Sequence, residues 1–569
     1  MSNPSADASF LRDYLRYDEL TLTLERWARE HHEFTRLSSL AKTENGRDIW
    51  LLEIGRDLDR HRPAICIDGN MHSAELLGTN VSLYVAQQLI HLHLGESKAC
   101  DPWPRAVREA ALEALYYIIP CVSPDGAEEV LTAARISRSA PRRRGWSNAP
   151  HWVRSDVDGD GRIRQIRLRH PAGEFVEHPD CAHVLVPRTV HDAGPFFKVF
   201  PEGIIENFNG RNVPFAHTLS DNDSDFNRNF PYDWSSEHDG AGRFPGWEPE
   251  TRALIEFGAR SPHIFSWLNL HTFGGIFIRP PFSDSAKEVD GEDLLVYEYA
   301  AALAAECTGM PTIGAFEDMT PVASRPMTGT LAAWAYGERG CLAWAVELWD
   351  LFAATGLQKR QPFFRNYAAQ QREEIAALAG WDARENGGRV FSAWRAFEHP
   401  QLKNVEIGGI DPLRGFINPP EKEIAPISGR LAAFAIALAS LAPRLQAHVT
   451  TERISEKLTR IDLLVINGGY LPTYVSAISR GRAWNCALQA RFRTSGCTRV
   501  SGPSPADLGH LLGWGRGADE EANAPFFQKS QAIEDVGLTW VVQGCGQVEI
   551  EIGAPRVGWQ THKLAIGAG

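Results

Sequence analysis

The sequence lacks several features that would mark a familiar class of protein. Its nine cysteines are scattered, without a C-x-x-C pair, and a chain of this size does not need disulfides to fold. Positive charge is in deficit, because 58 lysines and arginines face 71 acidic residues and give a net charge of −13. We therefore expect no general affinity for nucleic acid or anionic lipid.

A leader and a long apolar run are missing as well. The first residues, MSNPSADASFLRDYLRYDEL, show no positively charged start followed by an apolar stretch, so nothing in them resembles a secretory signal. The run GRLAAFAIALASLAP at 429–443 is shorter than the roughly 20 apolar residues that cross a bilayer. These absences predict a reduced, cytoplasmic protein that does not enter membranes.

What is present indicates an α/β fold. Short apolar segments such as AICI and YYII alternate with helix-like segments from about residue 17 to 130, and the alternation returns after residue 245. This order is typical of a sheet covered by helices, in which active groups gather at the carboxyl ends of strands. We expect residues 135–225 to be a loop-rich insertion, because they lack long apolar runs.

The last part of the chain has a different texture. From residue 445 onward, segments of alternating polar and apolar residues are separated by Gly, Pro and Asn, as in a small β-sandwich. The sequence thus predicts a catalytic domain at 1–444 and an accessory β-sandwich at 445–569. For the sandwich, folding support or self-association into a homo-oligomer is favoured over substrate binding.

A metal site is suggested by DGNMHSAELLGTN at 68–80. His72 and Glu75 are three residues apart just after a predicted strand, and His271 ends another apolar run, HIFSWLNL. Histidine and glutamate are donors that catalytic zinc uses. Each residue alone would be interpreted as a half-buried polar group.

Two further groups suit a hydrolase. Glu347 lies inside the apolar strand CLAWAVELWD, where burial would raise its pKa and make it a proton acceptor; the alternative is a structural acid paired with an arginine. Asn227 and Arg228 are adjacent in DSDFNRNFP. The guanidinium fork of arginine matches the carboxylate of a peptide end.

At this point the chain resembles the zinc carboxypeptidases of the carboxypeptidase A/B type. The resemblance rests on the order and spacing of separated stretches across most of residues 10–380: GRDIWLLEIG, DGNMHSAELLG, SPDG, DFNRNFP, EPETRALIEF, LNLHTFGG, GTLAAWAY and WAVEL. It implies a mixed, mostly parallel sheet with helices on both faces. It also implies that His72, Glu75 and His271 bind zinc, and that Glu347 deprotonates the attacking water.

The resemblance assigns substrate contacts too. Asn227 and Arg228 match the pair that holds the terminal carboxylate of the substrate. The arginine that stabilises the oxyanion is expected about fifteen residues after the start of SPDG, which indicates Arg138, with Arg142 to Arg144 as rivals because the insertion begins there. Leu331 or Ala332 occupies the specificity position and implies a preference for neutral or apolar end residues.

One family feature is missing. A tyrosine usually precedes the G-[ST]-x-x-x-W stretch and closes over the substrate, yet ASRPMTGT at 323–330 contains none. The capping of the substrate is therefore expected to differ.

The insertion contains a possible calcium loop. In DVDGDGRIRQIR, Asp156, Asp158 and Asp160 alternate before Gly161, as at the start of an EF-hand loop. The twelfth position is Arg167 instead of the bidentate glutamate. The competing interpretation is a turn whose carboxylates bind the backbone or the flanking arginines.

The sequence thus predicts a zinc metallocarboxypeptidase that acts on peptides with a free C-terminus. Two alternatives stay open. One is a related zinc amidohydrolase that acts on acylated amino acids or cell-wall peptides. The other is an inactive protein that binds C-terminal tails, with the β-sandwich as its interaction module.

Overall fold

The computed structural model describes residues 9–142, 148–216, 224–283, 289–321, 326–367, 370–516 and 535–567. Its α-helices are α1 (Tyr17–Glu30), α2 (Leu77–Leu94), α3 (Arg105–Glu113), α4 (Pro124–Thr132), α5 (Pro249–Arg260), α6 (Gly291–Thr308), α7 (Ala315–Met319), α8 (Leu331–Gly337), α9 (Leu351–Thr355), α10 (Arg372–Glu385) and α11 (Ile424–Leu438).

The strands up to residue 410 are β1 (Thr35–Lys42), β2 (Asp48–Ile54), β3 (Ala64–Asp68), β4 (Leu115–Ile119), β5 (His151–Arg154), β6 (Gln165–Arg169), β7 (Phe175–Glu177), β8 (Leu185–Pro187), β9 (Phe197–Pro201), β10 (Gly203–Glu206), β11 (Ile264–His271), β12 (Ile276–Arg279), β13 (Thr312–Gly314), β14 (Leu342–Glu347), β15 (Phe391–His399) and β16 (Lys403–Ile410). The strands after it are β17 (Leu445–Arg453), β18 (Leu458–Asn467), β19 (Leu488–Ser495), β20 (Thr498–Ser501), β21 (Ala506–Gly509), β22 (Val536–Gln543), β23 (Gly546–Ala554) and β24 (Gly558–Ile566).

The centre of the fold is an eight-stranded sheet in the order β1-β2-β4-β3-β11-β14-β12-β13. Its middle strands β4, β3, β11 and β14 are parallel. Strands β1 and β2 pair antiparallel with their neighbours, whereas β12 is antiparallel to β14 and parallel to β13. Every residue of β3, β4 and β11 is buried, because helices cover both faces and favour continuous apolar runs in such strands. The predicted mixed α/β sheet is confirmed.

Strand register brings distant motifs together. In β11, Asn269 pairs with Asp68 of β3, and His271 pairs with Glu347 of β14. The carboxyl ends of these parallel strands therefore meet at one edge of the sheet, as the sequence predicts.

The insertion was expected to be rich in loops, and most of its described residues do lie outside regular structure, but it also contains short strands that the sequence did not predict. Strands β6 to β9 join β15 and β16 in a six-stranded sheet, ordered β15-β16-β6-β9-β7-β8, and β5 pairs with β10. These strands contain no long apolar runs from which they could be predicted. Arginine stems and aromatic rings pack on the sheet instead. The guanidinium carbon of Arg167, for example, lies 4.3 Å from the ring centroid of Phe197 and 4.7 Å from that of Trp394.

The C-terminal strands form two four-stranded sheets, β17-β18-β22-β20 and β21-β19-β23-β24. Their inner faces enclose a hydrophobic core of their own, which includes Ile461, Trp540 and Ile550. The predicted all-β sandwich is therefore present.

One apolar helix is longer than the sequence indicated. Together with its flanking turns, α11 covers Glu421–Leu441, which by length and composition alone could cross a membrane. Most of this segment is buried within the fold, where α11 packs against α2 and α6. Here the segment is a core helix, and such helices share this composition.

A buried arginine connects the sandwich to the α/β unit. Arg556, which is 1% exposed, donates hydrogen bonds to the carbonyl oxygens of Pro262 at 2.9 Å and Ile264 at 2.6 Å. Its other terminal nitrogen donates to the carbonyl oxygens of Arg339 and Gly340. Burial lowers its pKa to about 10. Arg556 thus connects the sandwich to the start of β11 and to the segment before β14.

We expect Arg556→Met to destabilise the protein by about 3 kcal/mol, because methionine leaves several buried carbonyl groups without a donor. Thermal unfolding followed by circular dichroism should show a lower midpoint. Arg493→Met is the matched control, since this arginine side chain on the sandwich is 62% exposed. Equal midpoints for the two variants would show that Arg556 contributes no more than a surface arginine.

Candidate active site

Three buried side chains converge at the carboxyl edge of the central sheet. Candidate ligand atoms of His72, Glu75 and His271 lie within 4.8 Å of one another. Two imidazoles and one carboxylate are a donor set that catalytic zinc uses, with one further position for water. The chemistry of the cluster therefore fits the zinc ion that the sequence predicts.

The turn between β3 and α2 places two of these residues. Asn70 has a positive φ of 51°, and its side chain donates to the carbonyl oxygen of His72 at 2.7 Å. The two ends of the turn approach so closely that a Cβ on Gly69 would lie 2.5 Å from the backbone of Gly78. Glycine is therefore required there, and the turn folds back tightly enough to direct His72 and Glu75 to one point.

Outer hydrogen bonds orient the imidazoles. Nε2 of His271 lies 2.6 Å from Oδ1 of Asn269, whose amide donates to Asp68 at 2.7 Å. Burial raises the pKa of Asp68 to about 6. Nδ1 of His72 lies 3.0 Å from Oγ of Ser139. Partners of this kind fix the ring orientation of metal ligands.

The protonation states of two of the three candidate ligands favour metal binding. Burial acts to raise the pKa of Glu75, yet the neighbouring histidines and Arg138 lower it to about 2. Burial also holds the pKa of His72 well below its usual range. An ionised carboxylate and a neutral imidazole are the forms that bind a metal ion.

Glu347 ends β14 beside His271. Burial, followed by the charge of Glu75, raises its pKa to about 8, and the charge of Arg138 offsets this only in part. A carboxyl group with such a pKa can accept a proton near neutral pH. Glu347 lines the same cavity as the three candidate ligands.

Arg138 is the arginine of the 138–144 group that faces the cluster. Its Nη1 lies 3.4 Å from Glu75 and its Nε 3.4 Å from Asp225, and 30% of the side chain is exposed. The backbone N–H of Ser73 donates to the carbonyl oxygen of Arg138 at 2.9 Å, which anchors the segment beside His72.

Arg142 does not suit the substrate-binding role proposed from the sequence. Arg142 is among the residues that line the cavity, but its Nη2 lies 2.5 Å from Glu250 and 3.3 Å from Glu248. These buried acids neutralise the guanidinium and turn it away from a ligand. The other rivals of Arg138, Arg143 and Arg144, lie outside the described residues.

Asn227 and Arg228 lie on a short turn capped by Asp225, whose side chain accepts from the N–H of Asn227 at 2.9 Å. The amide nitrogen of Asn227 is 3.2 Å from Nε2 of His271, and its Oδ1 accepts from the N–H of Leu331 at 2.9 Å. Burial lowers the pKa of Arg228. Both residues line the cavity beside the metal cluster.

The cavity has a volume of about 640 Å³. Leu331, proposed as a specificity residue, is fully buried and is not among the lining residues; it contributes its backbone N–H to Asn227 instead. Apolar residues from segments that share no motif also line the cavity, and we call them the apolar wall: Ile278, Phe282, Met319, Met327 and Ala345.

Two lining residues escaped the sequence analysis. Asp225 is 1% exposed and lies between Arg138 and the Nδ1 atom of His72, 3.8 Å from the latter; its only signal was its place in DFNRNFP. Tyr367 donates its hydroxyl to the carbonyl oxygen of Phe273 at 2.6 Å.

The aspartate loop forms the structure of the competing interpretation, a turn whose carboxylates bind the backbone and nearby arginines. Asp156 accepts hydrogen bonds from the N–H groups of Gly159 and Gly161, each at 2.7 Å. Asp158 and Asp160 lie 2.9 and 2.8 Å from Nη2 of Arg395. The carboxylates are thus engaged by backbone and arginine, and the calcium prediction receives no support.

Comparison with known proteins agrees with this geometry. A family model described as zinc carboxypeptidase matches residues 21–162 and 206–373. A second model, a domain of unknown function, matches residues 445–565. Among solved structures, thrombin activatable fibrinolysis inhibitor is similar with a TM-score of 0.45 and 15% identity, covering 77% of this chain and 76% of that one.

Curated relatives are similar over shorter stretches. A zinc carboxypeptidase of Saccharothrix mutabilis subsp. capreolus is 28% identical over 117 residues, which are 20% of this chain and 25% of the relative. Carboxypeptidase B of Astacus astacus is 24% identical over 200 residues, covering 31% of this chain and 61% of the relative. The chain thus spans less than two thirds of either relative. Since the first family model matches more than half of the 569 residues, the chain belongs to the zinc carboxypeptidase family.

Proposed function

We propose that this protein is a zinc-dependent metallocarboxypeptidase that hydrolyses the C-terminal peptide bond of peptides. One observation carries the proposal: His72, Glu75 and His271 cluster beside Glu347 and Arg228 around one cavity. A metal site, a proton acceptor and a carboxylate-binding cation are the three parts that such a reaction needs.

His72, Glu75 and His271 would hold the zinc ion. When bound, zinc polarises a carbonyl group and lowers the pKa of water to about 7. The protein's own contribution is to fix these ligands through Asn269 and Ser139, so that little reorganisation accompanies binding.

Glu347 is the proposed general base. Its raised pKa suits it to take a proton from the attacking water and to deliver that proton to the leaving amine. Arg138 is the proposed oxyanion donor, since its guanidinium lines the cavity next to Glu75 and stays partly exposed. A fixed cation stabilises the negative charge that develops on the carbonyl oxygen.

Arg228 and Asn227 are proposed to bind the terminal carboxylate and thereby restrict cleavage to the last residue. The burial that lowers the pKa of Arg228 also strengthens its attraction for an anion, because water screens it less. The apolar wall of Ile278, Phe282 and Met327 favours an uncharged, apolar end residue, since a charge there would be desolvated without a partner.

The proposal is tested with paired peptides that end in the same apolar residue, one as a free acid and one as an amide. We expect release of the end residue from the free acid and at least a 100-fold lower rate with the amide, corresponding to about 3 kcal/mol for one charge-assisted contact. Free amino acid is measured by liquid chromatography.

Two other outcomes would favour the alternatives. Hydrolysis of acylated amino acids without turnover of any peptide would indicate the amidohydrolase. Binding of free peptide ends without release of any residue would indicate an inactive tail-binding protein.

A further inference from the structure

The cavity has two chemically different ends. The apolar wall forms one of them. The other end, which we call the basic rim, is lined by Arg135, His151, Trp152 and Arg154. In the strand order β4-β3-β11-β14-β12, the strands β3 and β11 that carry the metal cluster lie between β12, which carries Ile278, and β4, which precedes the segment of Arg135.

The charges that line the basic rim are of one sign. Among the described residues that line the cavity, the carboxylates are Glu75, Asp225 and Glu347, and all three belong to the central cluster. Among the residues that the structure describes, the rim therefore contains two arginines and no carboxylate, in a chain whose net charge is −13. Such a local excess runs against the overall composition and attracts anions into the cavity.

The rim residues have acidic partners within the fold, and the partners identified here are not among the residues that line the cavity. Nη1 of Arg135 lies 3.7 Å from Glu129, and Nε2 of His151 lies 3.3 Å from Glu206. Neither glutamate lines the cavity. Arg154 also interacts within the fold, so the argument rests on which charges line the cavity and not on unpaired groups. With 39% of its side chain exposed, Arg135 is accessible to a ligand.

Strand pairing holds the rim in place. Arg154 of β5 lies opposite Gly203 of β10, and Ser155, the next residue, forms a bridge with Arg135. The ring of Trp152 stacks on Phe200 with centroids 5.4 Å apart. The two arginines are thus neighbours on a rigid support, and a ligand that pairs with them meets little ordering cost.

We propose that the preferred substrates carry an acidic side chain one or two residues upstream of the apolar end residue, where it pairs with Arg135 and Arg154 at the basic rim. The inference rests on the proposed carboxypeptidase function. A peptide whose end carboxylate is bound by Arg228 and whose last side chain occupies the apolar wall has its upstream residues directed past Arg138 to the rim.

The test uses peptides that share an apolar end residue and differ only upstream, with Glu, Gln or Lys at the penultimate or the preceding position. At low ionic strength we expect kcat/KM to be roughly tenfold higher for the Glu peptide than for the Gln peptide at one of these positions, and lowest for Lys. The preference should shrink as salt is added, because screening weakens partly exposed charge pairs.

Arg135→Gln, Arg154→Gln and the double variant should bring the Glu-to-Gln ratio of kcat/KM towards one. The ratio within each variant corrects for any general loss of activity or folding. Arg493→Gln is the control, because this exposed arginine lies on the sandwich and should keep the wild-type ratio. Equal kcat/KM values for Glu and Gln peptides in the wild type would overturn the inference, whereas failure to release a residue from any peptide would also overturn the proposed function.

Discussion

Glu347→Gln is expected to lower kcat/KM for peptide hydrolysis by about 10³-fold, the contribution of a well-placed general base. Glutamine keeps the shape of the side chain at the end of β14 but cannot accept a proton. The zinc content should stay at the wild-type value, because His72, Glu75 and His271 are unchanged. Rates are measured with the free-acid peptide and metal by atomic absorption.

Stability should not fall in this variant. Burial raises the pKa of Glu347 to about 8, so its charged form is disfavoured in the folded protein and a neutral amide is tolerated there. Glu338→Gln serves as control, because Glu338 directly follows α8 as its C-cap and does not line the cavity. Activity within tenfold of the wild type in Glu347→Gln would remove this residue from the mechanism.

Replacement of a zinc ligand should abolish metal binding and activity together. For His72→Ala and Glu75→Gln we expect zinc affinity to fall by more than about 100-fold. Replacing a residue that only hydrogen-bonds to a zinc ligand already lowers metal affinity by up to about 100-fold. Dialysed protein should then contain little zinc, and hydrolysis should fall to background. Metal analysis and the peptide assay are made on the same samples.

His448→Ala is the control for a general effect of losing a histidine, because His448 is exposed on β17. Removal of zinc from the wild type with a chelator should reproduce the loss, and added zinc should restore activity in the wild type only. Full zinc occupancy in both ligand variants would show that the metal is bound elsewhere.

The sequence was informative where chemistry depends on short motifs. His72 and Glu75 share one turn, and His271 and Glu347 each end an apolar strand, so periodicity and spacing were enough to bring them to one edge of the sheet. The central sheet and the sandwich followed from alternation patterns for the same reason.

The predictions that were wrong concern features that depend on contacts between distant segments of the chain. The orientation of Arg142 is decided by Glu248 and Glu250, more than a hundred residues away in the chain. The apolar wall is formed by residues between 278 and 345. Leu331 is buried and does not line the cavity. The local sequence pattern does not predict such packing. Strand β6 of the insertion was not predicted because one of its partners, β16, comes more than two hundred residues later.

The position of α8 has a consequence for the entropy of substrate binding. The N–H of Leu331, the first residue of α8, donates to the side chain of Asn227. The N–H of Phe230 donates to the carbonyl oxygen of Gly329, just before the helix, at 3.0 Å. The segment after the C-terminal end of α8 is bound by Arg556 of the sandwich, which donates to the carbonyl oxygen of Gly340. The carboxylate-binding turn is therefore ordered during folding, before any peptide arrives, so the substrate's own flexibility is the main freedom lost on association. The sandwich would then contribute to affinity without touching the ligand.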